Sequence, residues 1–340
     1  MIGILGATGE VGRAATAFLA GRTALRLGSR TFAAAPDAEG RMGVDLDDAR
    51  SVEQFVAGCT VVVNCAGPSV RYSEHVAQAA LRAGVDLVDA GGDGALASRL
   101  DEPARAAERR IVLAAGALPG LSGLLPRLVA PNHRDVRAYF VVRDRFSRVA
   151  AADYLDGVLS ASTRPLAGWR DGRVVANSLS RATLRLPQFA EPVPAFPFLD
   201  DEAEQVARSL GIARLDWYSA FEGPRLAGAL DQTRGLDREQ AIDLVCSASA
   251  LDTAGLEPRT TFVVELDAAE TVVFHGPGIS ELTGTTAAVA ALAVQETSMP
   301  PGAGLAACVL DPERTFASIG QLAKVPGTIE DLSVVEDGVL

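Results

Sequence analysis

Ile2-Gly3-Ile4-Leu5-Gly6-Ala7-Thr8-Gly9-Glu10-Val11-Gly12 is an apolar strand that runs straight into glycines at three-residue spacing, followed by the helix-forming run Arg13 to Leu19. That spacing belongs to a turn that binds the phosphates of a dinucleotide. Gly6 lets the chain leave the strand tightly, Gly9 leaves bare backbone for a pyrophosphate, and Gly12 lets the new helix pack close, its N-terminus facing the anion. Gly6, Ala7, Thr8, Gly9, Glu10, Val11 and Gly12 are therefore expected to hold a cofactor.

The next strand, Leu25-Arg26-Leu27-Gly28-Ser29-Arg30, ends where one residue chooses between the two nicotinamide cofactors. An acid about 20 residues beyond the glycines would accept from a ribose 2′-hydroxyl. Ser29 and Arg30 stand there instead, a hydroxyl donor and a guanidinium fork suited to a 2′-phosphate. NADP(H) is expected over NAD(H), although Arg30 also reads as a solvated loop arginine. Asp45, after a strand near Arg41 to Val44, joins the expected cofactor residues.

Strand and helix patterns alternate through the first 115 residues: Ile2 to Leu5, Ala24 to Gly28, Val61 to Asn64, Asp86 to Asp89 and Arg110 to Ala114 are separated by helical runs. Alternation of this kind predicts a parallel sheet with helices on both faces, a doubly wound α/β Rossmann-type fold. After Gly116-Ala117-Leu118-Pro119-Gly120 the strands lengthen, one of them expected at Leu184 to Phe189, and hairpin signals appear at Asp171-Gly172 and Asp267-Ala268-Ala269. They predict a second α+β domain on a mainly antiparallel sheet. The expected division is a nucleotide domain at 1–120, a substrate and dimerisation domain at 121–277, and helices at 278–340 returning to the first domain.

The composition narrows the function further. The chain has 340 residues, 48% of them hydrophobic, enough for about two domains with buried cores. Its 43 acids against 31 bases give a net charge of −12 without a basic cluster, so no nucleic acid partner is expected. The first strand begins at residue 2, and no apolar run reaches the ~18 residues of a membrane span, so a cytoplasmic protein is expected. Cys59, Cys65, Cys246 and Cys308 form neither a CxxC pair nor a metal-like spacing with the histidines, and no metal is expected. Lys324 is the single lysine, and Val76, Arg143, Val158 and Glu222 stand four residues after the tyrosines. The Tyr-x-x-x-Lys chemistry of short-chain dehydrogenases is thereby excluded in its usual form.

Hydride transfer from a nicotinamide asks the protein to hold the cofactor against the reacting carbon and to place a proton or positive field at the atom that takes up charge. Asn64-Cys65-Ala66-Gly67-Pro68 ends the fourth strand, where the ligand crevice of an open parallel sheet lies, and is expected to contact the cofactor. Asp89 and Asp93 bracket Gly91-Gly92 at the end of the fifth strand and are the candidate acids, although such carboxylates equally cap the helix that follows. Tyr72 and His75 fall at the start of a helix expected over Ser73 to Ala83, at the expected nicotinamide end, Tyr72 being the better candidate for substrate contact. From the second domain, Tyr154 beside Asp153 at the head of an acidic helix, Arg143 with Arg145 and Arg148, and His275 at a strand end are the expected substrate contacts, each also readable as surface or core.

Gly67-Pro68, Tyr72, the helix ending at Ala83-Gly84, the Asp89-Ala90-Gly91-Gly92-Asp93 strand end and Gly120 resemble the saccharopine dehydrogenase-like reductase family. The resemblance covers mainly residues 1 to 125, with weaker similarity at Tyr218 to Gly223 and in the returning helix. It implies an NADP-dependent oxidoreductase acting on C–N bonds of amino-acid adducts, or on cyclic imines or activated C=C bonds as in related members. The leading expectation is an NADPH-dependent reductase of a C=N or related C=C bond in a small amino-acid-derived or secondary-metabolite substrate, working as a homodimer. An NADP-binding redox sensor without turnover and a saccharopine-type dehydrogenase stand as alternatives.

Overall fold

The structure, a computed structural model, describes residues 1–34, 40–159, 163–185, 189, 191–296, 299–320 and 322–326. It divides into two compact units, one of Met1–Leu124 with Ser280–Ile319 and one of Leu125–Ile279 with Gly320–Leu340. No helix among the described residues is long and apolar enough to cross a membrane.

In the first unit, strands β1 (Ile2–Leu5), β2 (Leu25–Ser29), β3 (Arg41–Gly43), β4 (Val61–Asn64), β5 (Asp86–Asp89) and β6 (Arg110–Leu113) form a sheet in the order β6-β5-β4-β1-β2-β3. A seventh strand, Gly302–Leu305, pairs beside β6, and every pairing is parallel. This is the expected doubly wound sheet. Its order reverses between β1 and β4, so the C-terminal ends of those strands open the crevice in which such sheets bind ligands. Strands β1, β4 and β5 are buried along their whole length, as sheets covered on both faces require.

The connecting helices are α1 (Glu10–Leu19), α2 (Ala49–Val56), α3 (Ser69–Ala83) and α4 (Gly94–Ala106). Asp48 caps α2 by accepting from the Arg50 amide, and α3 stops at Gly84, whose φ of +66° suits glycine. The core under them gathers Val52, Phe55, Val76, Ala80, Leu87, Leu100 and Leu113. Helix Ile279–Gln295 returns to the nucleotide end: the bare face of Gly284 meets Val11 and Ala15 of α1, where a Cβ would lie 2.2 Å from the Val11 carbonyl oxygen.

Among the described residues, the second unit forms a ten-stranded mixed sheet. Arg173–Val175 and Gly168–Arg170 form the hairpin expected at Asp171-Gly172, and Arg259–Leu266 with Glu270–Gly276 form the one expected at Asp267-Ala268-Ala269. Positive φ at Asp171, Gly172, Asp267 and Ala268 shapes both turns. The central pair, Asp135–Arg143 with Arg214–Phe221, is parallel, which hairpin signals do not reveal because its connection is a long crossover.

Several elements differ from the sequence reading. Strand Val193–Asp200 had no expected counterpart: Pro194 and Pro197 lie inside it, yet its residues alternate between buried and half-buried. A strand expected at Leu184 to Phe189 is observed at Ala182–Leu184, and residues 186–188 lie outside the described residues. The 278–340 stretch, read as helices, also supplies Gly302–Leu305 and Leu322–Pro326, and the latter pairs in the second unit's sheet. Short segments rich in glycine or flanked by proline read as loops until a neighbouring strand supplies their hydrogen bonds. Trp169 and Trp217 are each 1% exposed. The Trp169 indole donates to the Ile212 carbonyl, and Trp217 packs on Phe140 at 4.6 Å.

Candidate active site

The glycine turn closes as its sequence requires. Gly6 has φ +73°, and the Gly9 amide donates to its carbonyl at 2.9 Å. A Cβ on Gly6 would lie 2.9 Å from the Cys65 carbonyl and the Ala66 nitrogen, so the turn presses directly on the end of β4. A Cβ on Gly12 would lie 2.2 Å from the Gly6 oxygen, which leaves only glycine for that close approach of α1. Gly9 is the helix N-cap and has no side chain to cap the first turn of α1, so bare backbone meets whatever lies at that helix end. Glu10 accepts from Ser280 at 3.3 Å.

Beside the turn lies a chain of hydroxyls. Thr8 Oγ1 and Ser29 Oγ are 2.7 Å apart, and Ser29 Oγ and Thr31 Oγ1 are 3.0 Å apart. Ser29 is buried and Arg30, immediately after it, is exposed with no side-chain bond among the described residues. Arg13 reaches back to donate to the Thr8 carbonyl at 2.5 Å. Asp45 sits elsewhere in the local wiring: its carboxylate accepts from the Asp47 amide at 3.0 Å and shapes the turn before α2.

The ends of β4 and β5 are locked together by polar side chains. Buried Asn64 donates from Nδ2 to Asp89 Oδ2 at 2.8 Å and accepts from the Ala66 amide at 3.2 Å. Asp89, 1% exposed, also accepts from the Gly91 amide at 2.8 Å, and its backbone carbonyl accepts from Ala115. Burial, with the Asp89 carboxylate adding to it, pushes the Cys65 thiol up to about 12, so this sulfur is a neutral thiol at neutral pH. Ala66, Gly67 and Pro68 continue into α3 through a cis Gly67–Pro68 bond. Gly91 lies so close to this turn that a Cβ there would sit 2.4 Å from that of Ser69.

Two candidate residues have identified structural duties. Asp93 is the N-cap of α4 and accepts from the Leu96 amide at 2.8 Å; it is exposed, and the cap uses one carboxylate oxygen. Tyr72 is not grouped with Asp89. Helix α3 starts at Ser69 rather than Ser73, so Tyr72 lies in its first turn, and its hydroxyl donates to Asp47 at 3.3 Å on the β3 side of the sheet. Burial and Asp47 raise the Tyr72 pKa, while Arg71 and Arg30 oppose them. His75 is half-buried, and its Nε2 finds no partner among the described residues.

The expected substrate contacts of the second unit have partners of their own. Arg143 donates to the Glu257 carbonyl at 2.9 Å and pairs with Glu222 at 3.2 Å, and Arg259 grips the same glutamate at 2.9 Å. His275 Nδ1 lies 3.2 Å from Thr261 Oγ1, and burial, followed by the charge of Arg259, lowers its pKa. Tyr154 lies in the middle of helix Arg148–Leu159, not at its head, and packs against Phe146 and Phe221 with ring centroids 5.6 and 5.4 Å away. Burial raises its phenol pKa. Arg148 is paired with Glu239 and Asp243, and the Arg145 amide donates to Asp144.

The first unit thus brings Gly6–Gly12, Ser29, Arg30, Asn64–Pro68 and Asp89 to one edge of one sheet. These residues fit a dinucleotide phosphate: the bare cradle at Gly6, Gly9 and Gly12, the uncapped helix end, and hydroxyls beside a cation where an acid would otherwise meet a 2′-hydroxyl. The sequence reading passed over Asp47 and Arg71, which are joined at 2.6 Å on the same edge. Their signal was the adjacency of Arg71 to Tyr72, hidden by placing the start of α3 four residues late.

Residues 2–114 match the family described as the saccharopine dehydrogenase NADP binding domain. No curated protein sequence matches the chain. Among solved structures, saccharopine dehydrogenase (L-Glu forming) from Saccharomyces cerevisiae is similar with a TM-score of 0.64 at 13% identity, covering 95% of this chain and 99% of that one. The diaminopimelate (DAP) dehydrogenase of C. glutamicum, solved with DAP, has a TM-score of 0.50 at 14% identity over 99% and 98% of the two chains. An engineered D-amino acid dehydrogenase bound to NADP+ gives the same score, identity and coverage. At these identities the likeness is one of fold, and the cofactor follows from the matched domain and the fit of its residues. The N-terminal domain of this chain belongs to the saccharopine dehydrogenase type of NADP-binding domain, the cofactor domain of an oxidoreductase family, and its cofactor is NADP(H).

Proposed function

We propose that the chain is an NADPH-dependent reductase of a C=N bond, or a related C=C bond, in a small amino-acid-derived or secondary-metabolite substrate. The observation that carries this reading is the crevice edge where the glycine turn presses on Cys65 and Ala66, next to the bonded Asn64 and Asp89. Bound NADPH supplies the hydride. The chain's own residues have simpler work. Gly6 to Gly12 bind the phosphates, and the Asn64–Asp89 lock fixes the strand ends that border the nicotinamide side. With both of its oxygens engaged by Asn64 and Gly91, Asp89 is a positioning residue in this reading. Asp93, exposed and needing one oxygen for its cap, is the group assigned to hold a proton for the substrate nitrogen.

The test is a nicotinamide fluorescence titration with NADPH and NADH, followed by the loss of reduced-nicotinamide absorbance against cyclic imines, keto-acid and amine mixtures, and enones. Tighter NADPH binding with turnover of one class is the expected result. Binding without turnover across the panel overturns the reductase in favour of a sensor. In Asp93→Asn the turnover should fall by roughly 10²–10⁴ with NADPH affinity retained, the range of a lost general acid. Unchanged turnover removes Asp93 from the chemistry.

A further inference from the structure

One charged cluster beside the cofactor turn has no place in the phosphate cradle just described. Asp47, in the loop between β3 and α2, receives two side chains from the first turn of α3: Arg71 Nη2 at 2.6 Å and the Tyr72 hydroxyl at 3.3 Å. The Arg71 guanidinium also lies over the Tyr72 ring, 5.1 Å from its centroid. Arg71 and Asp47 are open to solvent, with 62% and 51% of their side chains exposed. Arg30, at the end of β2, is near enough to Tyr72 to act on its ionisation. Two arginines from different elements, Arg71 at the start of α3 and Arg30 directly after Ser29, thus flank Tyr72 on the sheet edge that carries the glycine turn.

We propose that Arg71 is a second arginine of the 2′-phosphate site, held in reserve by Asp47. A ribose 2′-phosphate carries more charge than a carboxylate and offers more acceptor oxygens, so it competes well for a guanidinium that is only weakly held by an exposed aspartate. Tyr72 braces Arg71 through its ring, which confines the guanidinium to the nucleotide side of α3. A cofactor that ends in a 2′-hydroxyl offers no such competitor, and Arg71 then stays on Asp47. The cluster thus acts on the difference between NADP(H) and NAD(H) rather than on dinucleotide affinity in general. The proposal rests on the NADP-binding domain and is independent of the reaction proposed above.

The experiment is equilibrium titration of the full chain with NADPH and with NADH by nicotinamide fluorescence, and displacement of NADPH by adenosine 2′,5′-bisphosphate. Arg71→Ala should weaken NADPH and the bisphosphate by roughly tenfold or more, the loss of a charge-assisted contact, and leave NADH within about twofold. Arg71→Lys should recover part of the loss. Asp47→Asn should tighten NADPH severalfold and leave NADH unchanged, because the competing charge is gone. Retained NADH binding shows that each variant is folded; if Arg71→Ala fails that check, Arg71→Gln carries the same expectation. NADPH affinity within twofold of wild type in the Arg71 variants, or equal losses for both nucleotides, overturns the assignment. Unchanged or weaker NADPH binding in Asp47→Asn overturns the reserve role. Failure of the wild type to bind either nucleotide is a different result and overturns the cofactor domain itself.

Discussion

Gly12 makes the most demanding contact in the cofactor turn, because its missing Cβ would occupy a point 2.2 Å from the Gly6 carbonyl oxygen and 2.8 Å from the Ala7 Cα. Both neighbours are backbone and cannot rotate away. Gly12→Ala must push α1 off β1, an overpacking expected to cost about 1–3 kcal/mol, and must open the phosphate cradle at the same time. Thermal denaturation and NADPH titration of the variant should both show loss, and a variant with wild-type stability and NADPH affinity would contradict the close approach. Such a glycine is legible in sequence because the spacing of Gly6, Gly9 and Gly12 repeats a geometric requirement. A carboxylate is less legible. Asp93 before a helix has the same sequence signature whether it caps the first turn or holds a proton, and only the 2.8 Å bond from Leu96 shows the cap. Arg30 and Ser29 were legible through their place at the end of β2, whereas the link from Arg71 to Asp47 joins residues far apart in sequence and needed the fold.

At the scale of elements, the buried side-chain bond from Asn64 to Asp89 adds to the backbone ladder in tying the ends of β4 and β5 together. Asn64 has its amide nitrogen on Asp89 and its oxygen on the Ala66 amide. Asp89→Asn puts an amide into that arrangement. It must either set an NH₂ group against Asn64 Nδ2 or turn its oxygen there and lose the Gly91 acceptor. Either way a buried polar group goes unpaired, a loss of about 1–3 kcal/mol. Chemical denaturation should show that loss, and stability equal to wild type would sink the lock. The strands themselves were readable: β4 and β5 have the bounds expected around Val61-Val62-Val63 and Leu87-Val88, apolar centres of the kind that parallel strands buried on both faces carry. Val193–Asp200 was not readable for the opposite reason. Pro194 and Pro197 lack the amide donors a central strand uses, and the segment is a strand because Arg214–Phe221 and the short strands Ala182–Leu184 and Thr163–Pro165 pair with it.

In the whole molecule, the chain leaves the first unit near Leu124, builds the second, and re-enters the first at Ser280. Each unit has buried clusters of its own: Val52, Phe55, Leu87 and Leu113 in the first, and Tyr139, Val141, Tyr218 and Val263 on one face of the second unit's sheet. The two folds also differ in how far sequence pattern reveals them. Alternating short strands and helices fix the neighbours of a parallel sheet through local crossovers, while the second sheet pairs Asp135–Arg143 with Arg214–Phe221 across a long insertion that no local signal marks. Every residue that fits the dinucleotide phosphates belongs to the first unit, which makes the reach of ligand protection a measurable quantity. NADPH at a hundred times its Kd stabilises whatever it binds by about 2.7 kcal/mol, so local opening at the site becomes roughly a hundredfold rarer. Hydrogen exchange should therefore slow at the backbone amides of Ala7 to Gly12, Ser29 to Thr31 and Cys65 to Gly67. The hairpin of Arg259–Leu266 and Glu270–Gly276 contains none of these residues, and its exchange should stay within about twofold of the free protein. Equal slowing in that hairpin would show that the nucleotide acts on both units, and absent slowing at Ala7 to Gly12 would show that the turn does not hold the phosphates.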